Sequence, residues 1–105
     1  MKLRWARAAE RELIGAAKFY EEQAAGLGVE FLDEAQRVAA LLVEFPNLGV
    51  SVSDARREVL LNRFPYRLVY DLDDAGVRII AVAHQKQRPE YGQWRVDEAR
   101  VRYAA

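Results

Sequence analysis

Tyr66-Arg67-Leu68-Val69-Tyr70-Asp71-Leu72, then Asp73-Asp74-Ala75-Gly76, then Val77-Arg78-Ile79-Ile80-Ala81-Val82-Ala83-His84 is the stretch that decides the fold. Two runs rich in β-branched and aromatic residues flank a four-residue turn, the pattern of a β-hairpin. Closing the hairpin on that turn sets Leu72 opposite Val77, Tyr70 opposite Ile79, Leu68 opposite Ala81 and Tyr66 opposite Ala83. These apolar pairs mark one side of a sheet as the side to be covered. The other side shows Asp71 opposite Arg78, Val69 opposite Ile80 and Arg67 opposite Val82, with His84 diagonally beyond Arg67. The opposite charges of Asp71 and Arg78 support this register. A bulge in the turn would move it by one residue and exchange the two faces.

Working outward, residues 57–61 form a third strand, joined to the hairpin by the turn Asn62-Arg63-Phe64-Pro65. Lys2–Trp5 is a candidate edge strand, and 49–54 reads as loop. Upstream of residue 55 the apolar period changes from 2 to 3.6. Ala9, Leu13, Ala16, Ala17, Tyr20 and Ala24 form one helical stripe within 8–25, closed by Gly26 and Gly28 as C-terminal punctuation. Phe31, Ala35, Val38, Leu42 and Phe45 form a second within 29–45, widened by Leu32 and Ala39 and stopped by Pro46. Two amphipathic helices separated by so short a loop lie antiparallel, and neither stripe is covered by the other alone. The fold class is therefore α+β: an N-terminal antiparallel helix hairpin on one face of a three- to four-stranded antiparallel sheet. Leu13, Tyr20, Phe31, Ala35, Val38, Leu42, Leu68, Tyr70, Ile79 and Ala81 are the expected common core. Residues 1–95 are read as one domain and 96–105 as a tail, either a short helix or disordered.

A chain of 105 residues with 51% hydrophobic and 30% charged residues has the balance of one small globular domain. It has no cysteine, which excludes disulfides, thiolate metal sites and cysteine nucleophiles. No cofactor- or metal-binding motif is present. No apolar run is long enough to span a membrane, and the basic start has no apolar stretch behind it, so no signal peptide is read. A cytoplasmic location is expected. Sixteen basic and sixteen acidic residues cancel, so the chain as a whole is not drawn to nucleic acid.

The open sheet face carries the one polar constellation with plausible chemistry. Arg67 can hold a phosphate bidentately, and His84, the only histidine, can act as acid or base.

Phe64-Pro65-Tyr66-Arg67-Leu68-Val69-Tyr70 resembles the central strand of toxins of the RelE/ParE superfamily, from bacterial type II toxin–antitoxin systems. Ala81-Val82-Ala83-His84 followed by Arg88-Pro89-Glu90-Tyr91 is similar to that family's ending. Phe19-Tyr20-Glu21 and Gly28-Val29-Glu30-Phe31 match its helices, so the likeness runs over about residues 3 to 95. It implies the same helix hairpin on a twisted sheet. It also implies a cognate antitoxin as partner in a hetero-oligomer, growth arrest, and plasmid stabilization as the setting. RelE-like members cleave messenger RNA on the ribosome, and ParE-like members poison DNA gyrase.

Two departures bear on that choice. The strand Arg57-Glu58-Val59-Leu60-Leu61 has no lysine where RelE-like nucleases carry them, and Gly92, not an aromatic, follows Tyr91. The Phe64-Pro65-Tyr66 stretch and the ending His84 … Arg88-Pro89-Glu90-Tyr91 are closer to the ParE side, so the resemblance implies a gyrase-binding toxin, with Arg88, Tyr91, Trp94 and Arg95 as the partner-binding segment. One alternative is an endoribonuclease using Arg67, His84 and, as nucleases of the superfamily with a Glu/Arg/His set imply, Glu58, with the ribosome and messenger RNA as partners; the simplest register turns Glu58 toward the helices. The other is a degenerate member that only binds its antitoxin.

Overall fold

The computed structural model describes residues 2–85. In chain order they form β1 (Lys2–Trp5), α1 (Arg7–Gln23), α2 (Leu27–Glu44), β2 (Val50–Ser51), β3 (Arg56–Leu60), β4 (Tyr66–Asp73) and β5 (Gly76–His84). The strands make one five-stranded sheet in the order β1-β5-β4-β3-β2, with both helices on one face. The α+β class holds, but the sheet is larger than expected and mixed. β1 joins the edge parallel to β5, with Lys2 beside Gly76 and Trp5 beside Ile79. Val50 and Ser51, read as loop, pair antiparallel with Glu58 and Arg57.

The helix hairpin closes more tightly than the C-cap reading of its glycines implies. Gly26 has φ 88° and is the N-cap of α2, a left-handed position that suits glycine. Gly28 lies inside the first turn of α2. A Cβ there would sit 2.5 Å from the carbonyl oxygen of Ala17, so its hydrogen lets the two helices touch. The Glu21 carboxylate then caps α2 from outside, accepting the amides of Gly26 at 2.8 Å and Gly28 at 2.9 Å. These amides are among the orphan donors of a helix start, and a negative charge there also meets the positive end of the helix dipole.

Between helices and sheet lies one core. Phe31, Ala35, Leu42, Leu68, Tyr70, Val77 and Ile79 are fully buried in it, and Leu13, Val38 and Val82 nearly so. Tyr20 is only half-buried, but its ring packs against Phe31 and Phe64 at centroid distances of 5.3 and 5.0 Å. Tyr70 also serves the edge of the fold. Its hydroxyl donates to the carbonyl of Pro46 at 2.7 Å and accepts the amide of Gly49 at 2.9 Å, fixing the segment that leads into β2.

The hairpin register follows expectation beside the turn and departs from it further down. Leu72 faces Val77, Asp71 faces Arg78 and Tyr70 faces Ile79. Val69 then faces Ala81, leaving Ile80 as an extra residue on β5, and the pairs below are Leu68–Val82, Arg67–Ala83 and Tyr66–His84. The bulge lies within the strands and not in the turn. Because strand side chains alternate, one inserted residue reverses the facing of everything beyond it. Val82 therefore enters the helix-side core. Ala81 is buried as expected, but on the opposite face with Val69 and Ile80.

Candidate functional site

The bulge rearranges the residues picked out by sequence. Arg67 lies on the helix-free face, where its Nε is 3.2 Å from Oε2 of Glu58. Glu58 pairs with Val69 and so stands on the side of Arg67, correcting the expectation that it faces the helices. The Arg67 side chain is only 7% exposed and that of Glu58 18%, so this is a largely desolvated ion pair. Arg67 also donates from Nη1 to the backbone carbonyl of His84 at 3.2 Å.

His84 itself is turned the other way. Its imidazole packs edge-on against the Tyr66 ring at 5.1 Å, on the side of α1, in an open groove with Glu12, Gly15, Phe19 and Val82. In place of the expected diagonal meeting of the Arg67 and His84 side chains, Arg67 holds the main-chain carbonyl of His84. Phosphoryl cleavage by an acid, a base and a cation needs all three groups around one phosphate. Here Arg67 and Glu58 share one face and the His84 ring occupies the other. Arg88, Tyr91, Trp94 and Arg95 lie outside the described residues. Among the described residues no cluster of His, Asp or Glu has the makings of a metal site, and no helix is long and apolar enough to cross a membrane.

Two carboxylates that the sequence reading passed over hold the frame of this region. Glu12 reaches from α1 to the edge of β5, where its Oε1 accepts the amide of Val82 at 2.8 Å. β1 pairs with β5 as far as Ile79, and Glu12 meets the strand edge beyond that point, which no other strand among the described residues covers. Glu34, 8% exposed, accepts the amide of Asn62 at 2.9 Å and the Arg37 guanidinium at 3.0 and 2.9 Å, tying α2 to the β3–β4 turn. The signal was available in the spacing: Glu34 falls three residues after Phe31 and four before Val38, on the buried stripe of its helix.

The hydrogen bonds from Arg37, outweighing burial and reinforced by the Asn62 amide, hold the Glu34 carboxyl below the usual carboxylate range. A group whose pKa is lower when folded stabilises the fold fully above its unfolded pKa. That contribution declines as pH falls through the lower folded value. Stability should therefore drop as the medium is acidified below about pH 4, the ordinary range of a glutamate. Glu34→Gln should flatten this acid limb. Urea midpoints followed against pH check it, and an unchanged limb in the variant would show that Glu34 does not set the acid limb. Asp73, held low chiefly by its hydrogen bonds to Arg4, contributes in the same direction and is the comparison variant.

Comparison with known proteins gives a consistent picture. The family described as the ParE toxin of type II toxin–antitoxin system, parDE, matches residues 3–89. Among solved structures, a chain of the chromosomal ParDE toxin–antitoxin system from P. aeruginosa superposes with a TM-score of 0.71 at 18% identity, covering 80% of this chain and 95% of that one. The isolated E. coli RelE toxin superposes at 0.58 with 19% identity, covering 87% and 90%. Identities this low establish a shared fold. No curated protein matches.

Proposed function

This chain belongs to the family of ParE toxins of type II toxin–antitoxin systems, and from that premise we propose that it arrests growth by binding and inhibiting DNA gyrase until a cognate antitoxin neutralises it. It is a ParE-type toxin with the RelE/ParE fold. What carries the binding reading is the placement of His84: its ring and the Arg67–Glu58 pair lie on opposite sides of the sheet. A toxin that works by occupying its target needs no acid, base or phosphate clamp. The surface assigned to the target is the segment with Arg88, Tyr91, Trp94 and Arg95, because arginine and aromatic side chains dominate binding energies at protein interfaces. The complex with the antitoxin is a hetero-oligomer formed in the cytoplasm, with plasmid stabilization as its setting.

One observation favours a second reading. Glu58 stands beside Arg67, the juxtaposition that a ribonuclease using these two residues with His84 would need in part. Such an enzyme would act on messenger RNA at the ribosome. A chain that only binds its antitoxin would show neither activity. Growth after induction separates these cases. We expect His84→Ala to arrest growth as the parent chain does, and Trp94→Ala or Arg88→Ala to weaken the arrest. Loss of toxicity in a folded His84→Ala protein, with messenger RNA cut only by the parent, would establish the ribonuclease instead.

A further inference from the structure

The outer face of α1, turned away from the core, carries Arg11, Ile14, Gly15, Lys18, Phe19 and Glu22, all exposed. Its make-up is not explained by the chain's own fold. Ile14 and Phe19 are large apolar side chains left 46 and 53% exposed. Gly15 stands in mid-helix, where glycine weakens a helix relative to alanine. Nothing among the described residues calls for a glycine there, because an added Cβ would meet no atom within 4 Å. The charges also run against the helix. Apart from Glu10 in the first turn, Arg7 and Arg11 lie toward its start, and its last turn holds Glu21 and Glu22 with no basic residue. That is the reverse of what the helix dipole favours. Glu21 is engaged in capping α2, but Glu22 is not.

We propose that two copies of this chain pair through α1, antiparallel, about a two-fold axis level with the Ala16–Ala17 peptide. Arg11 of each copy then lies opposite Glu22 of the other, and Ile14 lies level with Phe19. Gly15 lies opposite Lys18 of the second copy, whose aliphatic stem crosses the space that a Cβ would have filled. The charges choose this direction: parallel pairing would set Arg11 against Arg11, Lys18 against Lys18 and Glu22 against Glu22, and like charges in contact repel. Antiparallel pairing also brings Glu22 beside the positive end of the neighbouring helix, the position its own helix denies it. The interface is isologous, so every contact is made twice. Contact through one helix from each copy is small, which makes the dimer weak and dependent on concentration. Phe19 is also one wall of the groove that holds the His84 ring beside Tyr66. The dimer therefore restricts access to that groove in both copies, and a partner that docks there must first separate them. The pairing does not rest on the gyrase reading and stands or falls separately from it.

Sedimentation equilibrium of the purified full-length chain tests the pairing, and a monomer–dimer equilibrium in the micromolar range is expected. Arg11→Glu and Glu22→Arg, each alone, should raise the dissociation constant at least about tenfold, because each turns two attractions into two repulsions. The two changes together restore opposite charges across the interface and should return the constant to within about threefold of the parent. Gly15→Gln places a better helix former at an exposed site, so the fold should stay intact while the dimer is lost. A chain that stays monomeric up to about 0.1 mM overturns the proposal. So does a dimer that is unmoved by either single charge change, that survives Gly15→Gln, or that the double variant fails to restore.

Discussion

Arg67→Ala should destabilise the fold by about 3–5 kcal/mol, the cost of stranding one member of a buried ion pair. The guanidinium is nearly closed off, stands 3.2 Å from the Glu58 carboxylate and also holds the His84 carbonyl. Removing it leaves a negative charge in a site with little water and frees an acceptor at the end of β5. Replacing both partners with apolar residues of similar volume, Arg67→Met with Glu58→Leu, should recover most of the loss, because the desolvation penalty then disappears with the charges. Urea denaturation of the two single variants and the double variant measures this. A loss below about 1 kcal/mol for Arg67→Ala would mean the pair behaves as an ordinary surface ion pair. Toxicity must then be compared at equal folded concentration, since a fall in activity of Arg67→Ala would otherwise be mistaken for catalysis.

Leu42→Ala should cost about 2–5 kcal/mol, with each kcal/mol lowering the melting temperature by roughly 4–8 °C in a domain of this size. Leu42 has no exposed surface and sits in the layer where the buried stripe of α2 meets the sheet. α1 and α2 are already in contact at Gly28, so the layer has little freedom to collapse into the space left behind. Thermal melts of the variant check the value. A midpoint within a degree or two of the parent would show that the site relaxes and that the core is not close-packed there.

The helices were legible because their apolar residues recur at a spacing that no strand produces. The stripes through Leu13 and Ala16, and through Phe31, Val38 and Leu42, lie where the 3.6 period puts them. The hairpin was legible near its turn, where Asp71 and Arg78 give the register a charge to lock onto. Further along, residues 79–83 are all apolar. Such a run reads the same in either phase, so nothing in it announces that Ile80 is the extra residue, and His84 was assigned to the wrong face. Glu58, in contrast, was readable. The turn from Asn62 to Pro65 sets Leu61 opposite Tyr66 and therefore Glu58 opposite Val69, on the side of Arg67. The parallel partnership of β1 with β5 joins segments separated by both helices, and local pattern carries no information about it. The carboxylates of Glu12 and Glu34 were visible only as charges beside or on apolar stripes, and their targets, the amides of Val82 and Asn62, exist only once the fold is formed.

The proposed action of this toxin is to bind gyrase and not to cut RNA. DNA supercoiling by purified gyrase, measured with the parent chain and with His84→Ala, tests it most directly. Both proteins should inhibit supercoiling alike, the antitoxin should relieve the inhibition, and messenger RNA incubated with the same proteins in the presence of translating ribosomes should stay intact. Supercoiling that proceeds undisturbed, with messenger RNA cleaved by the parent chain and spared by His84→Ala, would contradict it.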